Sequence, residues 1–204
     1  MPLSIGTWNS QGSPLTNGDK YATLKGLIGV CDVVLLQECG SLAEVTGFEG
    51  CRVVSWAAAG AKNHRCSTAI LTRGYDAAGN AGHMSTGRAA VWIRYGNVYI
   101  ATIHCTASGK AADQTQLMKE MAQLAGNNPL IIGGDFNCPP AEEAMNVGTS
   151  SREITFNVDA QARATQSSGR ILDYFVSQNA ECVSTRKYRT GPSDHDAVTA
   201  SYKV

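Results

Sequence analysis

Residues 129–137 read Pro129-Leu130-Ile131-Ile132-Gly133-Gly134-Asp135-Phe136-Asn137. A short apolar run bounded by Pro and Gly fits a strand buried on both faces. A carboxylate and a carboxamide then stand at its mouth. In an extended chain residues i and i+2 share a face, so Asp135 and Asn137 can point at one ligand. The two glycines before them would let that ligand approach closely. An ordinary turn is the competing reading, because Gly, Asp and Asn are the common turn residues.

The pattern recurs, which favours a site over a turn. Thr7-Trp8-Asn9 closes the run Leu3-Ser4-Ile5-Gly6, and Gln37-Glu38 closes Val33-Val34-Leu35-Leu36. His104 ends Val98-Tyr99-Ile100-Ala101-Thr102-Ile103, Asp173 lies in Ile171-Leu172-Asp173-Tyr174-Phe175, and Ser193-Asp194-His195 precedes Ala197-Val198. Oxygen-rich side chains with two histidines, all at strand ends, suit a hard divalent cation and a phosphate. Magnesium takes oxygen ligands, keeps several waters, and is held by one or two carboxylates plus the substrate's own oxygens.

This ordered set resembles the endonuclease/exonuclease/phosphatase superfamily, whose fold is that of deoxyribonuclease I. The stretches that carry it are Thr7-Trp8-Asn9-Ser10-Gln11-Gly12-Ser13, Leu36-Gln37-Glu38-Cys39-Gly40-Ser41-Leu42, Gly134-Asp135-Phe136-Asn137, Ile171-Leu172-Asp173-Tyr174 and Ser193-Asp194-His195. The first two look most like the catalytic B subunit of cytolethal distending toxins. The resemblance runs from about Ile5 to Val198 and implies a four-layer α/β sandwich, two mostly antiparallel sheets flanked by helices. It implies Glu38 as the main magnesium ligand, Asn9 as support for metal and phosphate, and Asp194 as a second carboxylate on the metal side; manganese could substitute. His195 and Asp173 match the family's catalytic pair and His104 its second histidine, the general acid. Asp135 and Asn137 match the groups that orient water and bind the phosphoryl oxygen. Arg88 matches a phosphate-contacting arginine.

Each residue also has a plainer reading. Glu38 could be neutralised by an arginine, since a buried unpaired carboxylate is costly. Asn9 could form a turn, and Arg88 and the Arg186-Lys187-Tyr188-Arg189 stretch could be solvated surface. In deoxyribonuclease I a glutamate supports the histidine that His104 resembles, but Asn63-His64-Arg65-Cys66-Ser67 holds no carboxylate.

Composition narrows the classes. The chain has 204 residues, 17 basic against 17 acidic and so no formal net charge. A passive nucleic-acid binder is usually strongly basic, so an enzyme whose metal offsets substrate charge fits better. Seven cysteines form no Cys-x-x-Cys pair. They read either as small buried hydrophobes or as one or two bridges of a secreted protein. No apolar run approaches the length of a membrane span, and Met1-Pro2-Leu3 leads straight into the first strand without a signal peptide.

Short β runs are expected at about 3–9, 32–37, 51–56, 67–72, 89–95, 97–104, 129–134, 171–177, 181–188 and 196–202, with a hairpin turn at Arg94-Tyr95-Gly96-Asn97-Val98. Helices are expected at about 19–29 and 110–125. The second buries Leu117, Met121, Leu124 and Ala125, with Gly126 as its C-cap. Residues 145–169, rich in Ser, Thr, Gln, Ala and Asn, read as a surface excursion. One domain, 1–204, is expected.

The sequence thus points to a magnesium-dependent endonuclease that nicks duplex DNA. As a genotoxin-type effector it would be secreted, delivered by partner subunits of a toxin complex without stable membrane insertion, and active inside a target cell. A phosphoinositide or sphingolipid phosphoesterase is the competing activity. Inositol phosphatases of the superfamily carry Cys-Asp-Arg where this chain has Leu172-Asp173-Tyr174, which counts against it. A non-catalytic binding protein on this scaffold would have lost the catalytic residues, and none is lost.

Overall fold

A computed structural model of the chain describes residues 2–40, 48–56, 67–81, 88–107, 111–140, 144–148, 153–188 and 190–204. Its elements, in chain order, are β1 (Leu3–Asn9), α1 (Gly18–Val30), β2 (Val33–Gln37), β3 (Arg52–Trp56), β4 (Thr68–Thr72), β5 (Ala77–Ala81), β6 (Ala90–Tyr95), β7 (Val98–His104), α2 (Ala111–Ala125), β8 (Leu130–Asp135), β9 (Ala144–Gly148), β10 (Glu153–Asp159), β11 (Asp173–Gln178), β12 (Glu181–Tyr188) and β13 (Ala197–Lys203). One sheet runs β12-β13-β1-β2-β4-β3 and the other β5-β6-β7-β8-β11-β10-β9. Among the described residues only β1–β2 and β7–β8 pair in parallel.

Side-chain alternation produces the four layers. On β1, β2, β7 and β8 the residues Leu3, Ile5, Val33, Leu35, Val98, Ile100 and Ile131 face inward and pack with Phe175 and Tyr202 between the sheets. The intervening residues face outward. Trp8, Val34 and Leu36 meet Leu24, Leu27 and Ile28 of α1, and Ala101, Ile103, Ile132, Tyr174 and Val176 meet Leu117, Met118 and Met121 of α2. The order helix, sheet, sheet, helix is the expected sandwich.

Both helices start or stop where local chemistry dictates. Asn17 caps α1, its Oδ1 accepting from the backbone N–H of Asp19 at 3.0 Å and of Lys20 at 3.1 Å, which satisfies two of the orphan donors of the first turn. Gly126 ends α2 at φ 61°, as expected. The apolar face of α2 is rotated from the expected one: Leu117, Met121 and Ala125 are buried, but Leu124 is 40% exposed and Met118 and Ala122 take its place.

Two expectations fail. The segment 145–169 is not a plain surface excursion, because β9 and β10 extend the second sheet from it. Ile154 and Phe156 are buried, with Val158 packed beside them against the α2 side; polar neighbours mask this period of two in the sequence. The strand β5 was also missed, since Ala-Ala-Gly-Asn-Ala carries little β propensity. Trp92 of β6 lies over Gly79, 3.0 Å from where a Cβ would stand, so the partner strand supplies the side chain that β5 lacks.

The glycine pair of β8 also serves a purpose other than ligand access. A Cβ on Gly133 would lie 2.6 Å from the Phe175 ring and 2.8 Å from Leu35, and one on Gly134 would strike the carbonyl of Ile103. The glycines let β8 sit tight against β7 and the opposite sheet. Gly133→Ala is therefore expected to cost about 1–3 kcal/mol, the usual penalty for overpacking a core. An unchanged denaturant midpoint would contradict this.

At the end of the sandwich where β11 and β13 finish, Asp159 joins the sheets: its Oδ2 accepts from Ser177 Oγ at 2.6 Å and Tyr202 OH at 2.9 Å. Burial pushes this carboxyl up, against those two hydroxyls. The folded state then holds the proton more tightly than the unfolded one. The resulting stability is full below the ordinary carboxylate range and is lost as pH rises through the folded value. Asp159→Asn should thus gain melting temperature relative to the unsubstituted protein between about pH 4 and about pH 8. A difference constant across that range would refute the linkage.

The described cysteines, 31, 39, 51, 105, 138 and 182, are all free thiols, and Cys66 lies outside the described residues. Burial pushes Cys31 and Cys39 up to about 12, as suits small apolar side chains. Among the described residues no helix is long and apolar enough to cross a membrane.

Candidate active site

The inward faces of the strands change from apolar to polar toward one end. Above the apolar rows lie Thr7, Gln37 and Thr102, all buried. Gln37 Nε2 donates to Thr7 Oγ1 in its own sheet at 3.1 Å and to Thr102 Oγ1 across the gap at 2.8 Å. The next inward positions are Asn9, His104, Asp135 and Asp173. Alternation with period two, continued one step past the core, therefore delivers these side chains to one place. The register agrees: His104 faces Asp135, and Asp135 faces Asp173.

Asp135 is the centre. Its Oδ2 lies 3.7 Å from His104 Nε2 and 4.0 Å from His195 Nε2, and accepts from Asn9 Nδ2 at 2.9 Å. Glu38 lies beyond His104, its Oε1 3.7 Å from the same Nε2 and 3.3 Å from Asn9 Nδ2. His195 Nδ1 meets Asp173 Oδ2 at 2.7 Å, and its Nε2 lies 3.6 Å from Asp194 Oδ1. The site residues named from sequence thus form one chain of contacts: Glu38, His104, Asp135, His195, then Asp173 and Asp194. Among the described residues, Glu38 and Asp135 are carboxylates facing His104. The segment Asn63–Cys66, where a supporting acid was sought, lies outside the described residues, as do Ser41, Leu42 and Arg189.

Burial and charge act on these groups in opposite senses. Burial and then the charge of Asp173 push Asp135 up to about 6, against His195, Asn9 and the Asn137 N–H. Burial alone would lower His195, but the hydrogen bond and charge of Asp173, with Asp135 and Asp194 behind them, push it up to about 9. Its cation is favoured in the folded protein.

The loops that present these groups are held in costly conformations. Gln11, Glu38 and Asn137 have φ of 46°, 51° and 53°, in the left-handed region that non-glycine residues seldom adopt. Neighbours fix them. Gly12 N–H donates to Glu38 O at 2.6 Å, and Asn137 N–H to Asp135 Oδ1 at 2.9 Å. Lys20 Nζ donates to the carbonyls of Ser10 and Gln11, both at 2.6 Å. Asn137 therefore does not share a strand face with Asp135; β8 ends at Asp135, and Asn137 Nδ2 donates to Cys105 O at 2.8 Å.

Two other residues behave differently from their sequence reading. Asn9 Oδ1 accepts the Gln11 N–H at 3.1 Å while its amide nitrogen serves Glu38 and Asp135, so Asn9 acts here as a brace for carboxylates. Arg88 Nη1 donates to His104 O at 2.8 Å and also to Cys105 O. It ties down the end of β7. Arg186 and Lys187 stand on the edge strand β12, and Lys187 pairs with Asp196 at 2.8 Å.

Trp8, Gln11 and Ser193 stand in the motif stretches with no catalytic role of their own. Trp8 Nε1 donates to His195 O at 3.2 Å, Ser193 Oγ to Asn9 O at 2.7 Å, and Asp194 N–H to Gln11 Oε1 at 3.1 Å. They bind the His195 loop to β1. Their signal was adjacency to the motif residues.

A divalent cation fits this donor set. Glu38 keeps a side chain 17% exposed at the mouth, and among the described residues Asp194 Oδ1 is buried with no hydrogen-bond donor. Oxygen donors of this kind suit a hard cation. The tightest acidic group is Asp135, Asp173 and His195, with ligand atoms within 4.8 Å of one another. In it Asp173 is already spent on His195, which makes it a hydrogen-bonded pair more than a cage.

A sandwich of two sheets whose polar ends meet in carboxylates and histidines is an arrangement that phosphoester hydrolysis can use. The sequence matches the Endonuclease/Exonuclease/phosphatase family over residues 6–195, and the chain belongs to that family. It is accordingly a hydrolase acting on ester bonds, of the phosphodiesterase and nuclease kind, in a family generally dependent on a divalent metal. Among solved structures it is similar to the cytolethal distending toxin of Actinobacillus actinomycetemcomitans, with TM-score 0.71, 20% identity and 97% of each chain covered. It is similar to CdtB, the biologically active subunit of that kind of toxin, with TM-score 0.72, 22% identity, and 98% and 97% of the two chains covered. A 3'-5' exonuclease from Neisseria meningitidis gives TM-score 0.71 at 15% identity, over 99% of this chain and all of that one. No curated protein matches the sequence.

Proposed function

We propose that the chain is a single catalytic domain, residues 1–204, that hydrolyses DNA phosphodiester bonds with magnesium and nicks duplex DNA. The observation that carries this is the meeting of Asn9, Glu38, His104, Asp135, Asp173 and His195 across the two sheets, in the chain order the nuclease motifs require. Glu38 and Asp194 would hold the cation, with Asn9 bracing Glu38. When bound, that ion offsets charge gathering on the phosphate oxygens.

The remaining steps belong to the side chains. Water attacks phosphorus opposite the leaving oxygen. Asp135, within 4.0 Å of both histidine Nε2 atoms, takes its proton. His195, held by Asp173, donates to a phosphoryl oxygen, and Asn137 and Arg88 supply further N–H donors to it. His104 gives a proton to the leaving oxygen as the phosphorus–oxygen bond breaks. The likeness to toxin subunits supports the further reading of a secreted genotoxin-type effector that acts inside a target cell and is delivered by partner subunits.

The test offers supercoiled plasmid and phosphatidylinositol trisphosphate side by side, with magnesium or with chelator. Expected is plasmid nicking that needs metal and weakens as salt rises, each phosphate contact contributing about −0.9 to the slope of log affinity against log salt. Hydrolysis of the lipid head group with the plasmid left intact would overturn the reading in favour of a lipid phosphoesterase.

A further inference from the structure

Residues 160–172 connect β10 to β11 and run beside the loop that bears His195. Ser167 N–H donates to Asp194 O at 2.8 Å, Asp196 N–H donates to Thr165 O at 2.7 Å, and Gln166 forms an antiparallel bridge with His195. The loop bearing His195 is thus paired like a short strand. The turn that makes this possible is closed by Arg170 O, which accepts from Thr165 N–H at 3.0 Å and Gln166 N–H at 3.1 Å.

Thr165 is the residue on which both halves of the histidine–carboxylate pair converge. Its hydroxyl oxygen accepts from the N–H of Leu172 at 2.9 Å and of Asp173 at 3.1 Å, while its carbonyl holds Asp196, next to His195. It is 1% exposed. Two accepted bonds use the lone pairs of a hydroxyl and leave its proton to give. Burial pushes the Asp173 carboxyl up, and His195 and then the Thr165 side chain oppose that push.

We infer that Thr165 is a positioning residue: one buried hydroxyl and one carbonyl fix Asp173 and the His195 loop relative to each other. The inference rests on the catalytic reading of that pair, but its geometry can be measured without turnover. The His195 Nδ1 proton shared with Asp173 should give a low-field proton resonance, assigned by its loss in His195→Ala. Thr165→Val keeps the shape and removes the hydroxyl; Thr165→Ser keeps the hydroxyl.

In Thr165→Val the resonance should move upfield or vanish while the rest of the spectrum stays dispersed. Turnover should fall about 10–100-fold, the scale for removing a residue that orients a histidine, with KM within about twofold. Thr165→Ser should keep the resonance and lose no more than about threefold in kcat. A folded Thr165→Val with an unshifted resonance and unchanged kcat overturns the assignment. If Thr165→Val does not fold, the serine variant decides: a retained resonance supports the clamp, and a lost one in folded protein overturns it. If His195→Ala nicks DNA at full rate while Thr165→Val still moves the resonance, the catalytic reading fails and the positioning role stands.

Discussion

His195→Ala and Asp173→Asn are each expected to lower the turnover of plasmid nicking by at least about a hundredfold, the scale of one acid–base group. The double variant is expected to be little worse than His195→Ala alone. The 2.7 Å contact between His195 Nδ1 and Asp173 Oδ2 leaves the carboxylate nothing to orient once the imidazole is gone, and residues acting as a unit give non-additive losses. Asp173 is fully buried, so circular dichroism and a melting curve must accompany the rates. Multiplicative losses in folded proteins would mean that Asp173 has a task apart from His195.

Chelator should abolish activity, magnesium or manganese should restore it, and zinc should not, because the donors at the mouth are oxygens, which favour hard cations. Glu38→Ala should lose activity to a similar extent and recover little of it at high magnesium. Removing Glu38 also takes a carboxylate away from His104 Nε2 at 3.7 Å and an acceptor from Asn9. The loss should therefore show in kcat as well as in the magnesium concentration needed. Full nicking in excess chelator would end the metal assignment. A Glu38→Ala variant with unchanged magnesium dependence would move it to other carboxylates.

What could be read from sequence followed in part from strict alternation. Leu3-Ile5-Thr7-Asn9 and Val98-Ile100-Thr102-His104 each run from core to site on one face, so these strand ends are legible from periods of two. The roles of Glu38, Asp194, His195 and Arg88 follow instead from the resemblance to the superfamily's motifs. Residues 153–172 were not legible in either way. There Ile154, Phe156 and Val158 alternate with Thr155, Asn157 and Asp159, but the surrounding Ser, Thr and Gln gave the segment the composition of a loop. Thr165 escaped for a related reason, since its role is defined by partners seven, eight and thirty-one positions away, Leu172, Asp173 and Asp196. The glycines of β8 were read for ligand access because a sequence does not show which strand lies alongside.

Asn9, Glu38 and His195 come from one sheet or its loops, and His104, Asp135 and Asp173 from the other. On the proposed catalytic reading neither sheet holds a working set, so the chemistry requires the gap between them to be correct. Turnover is then a gauge of that gap, read to a fraction of an ångström, because catalytic geometry tolerates little displacement. A substitution at Phe175 or Tyr202 that changes core thickness by one methylene registers in rate before it registers in secondary structure. By the same dependence, a partly unfolded chain cannot bring the two half-sets together.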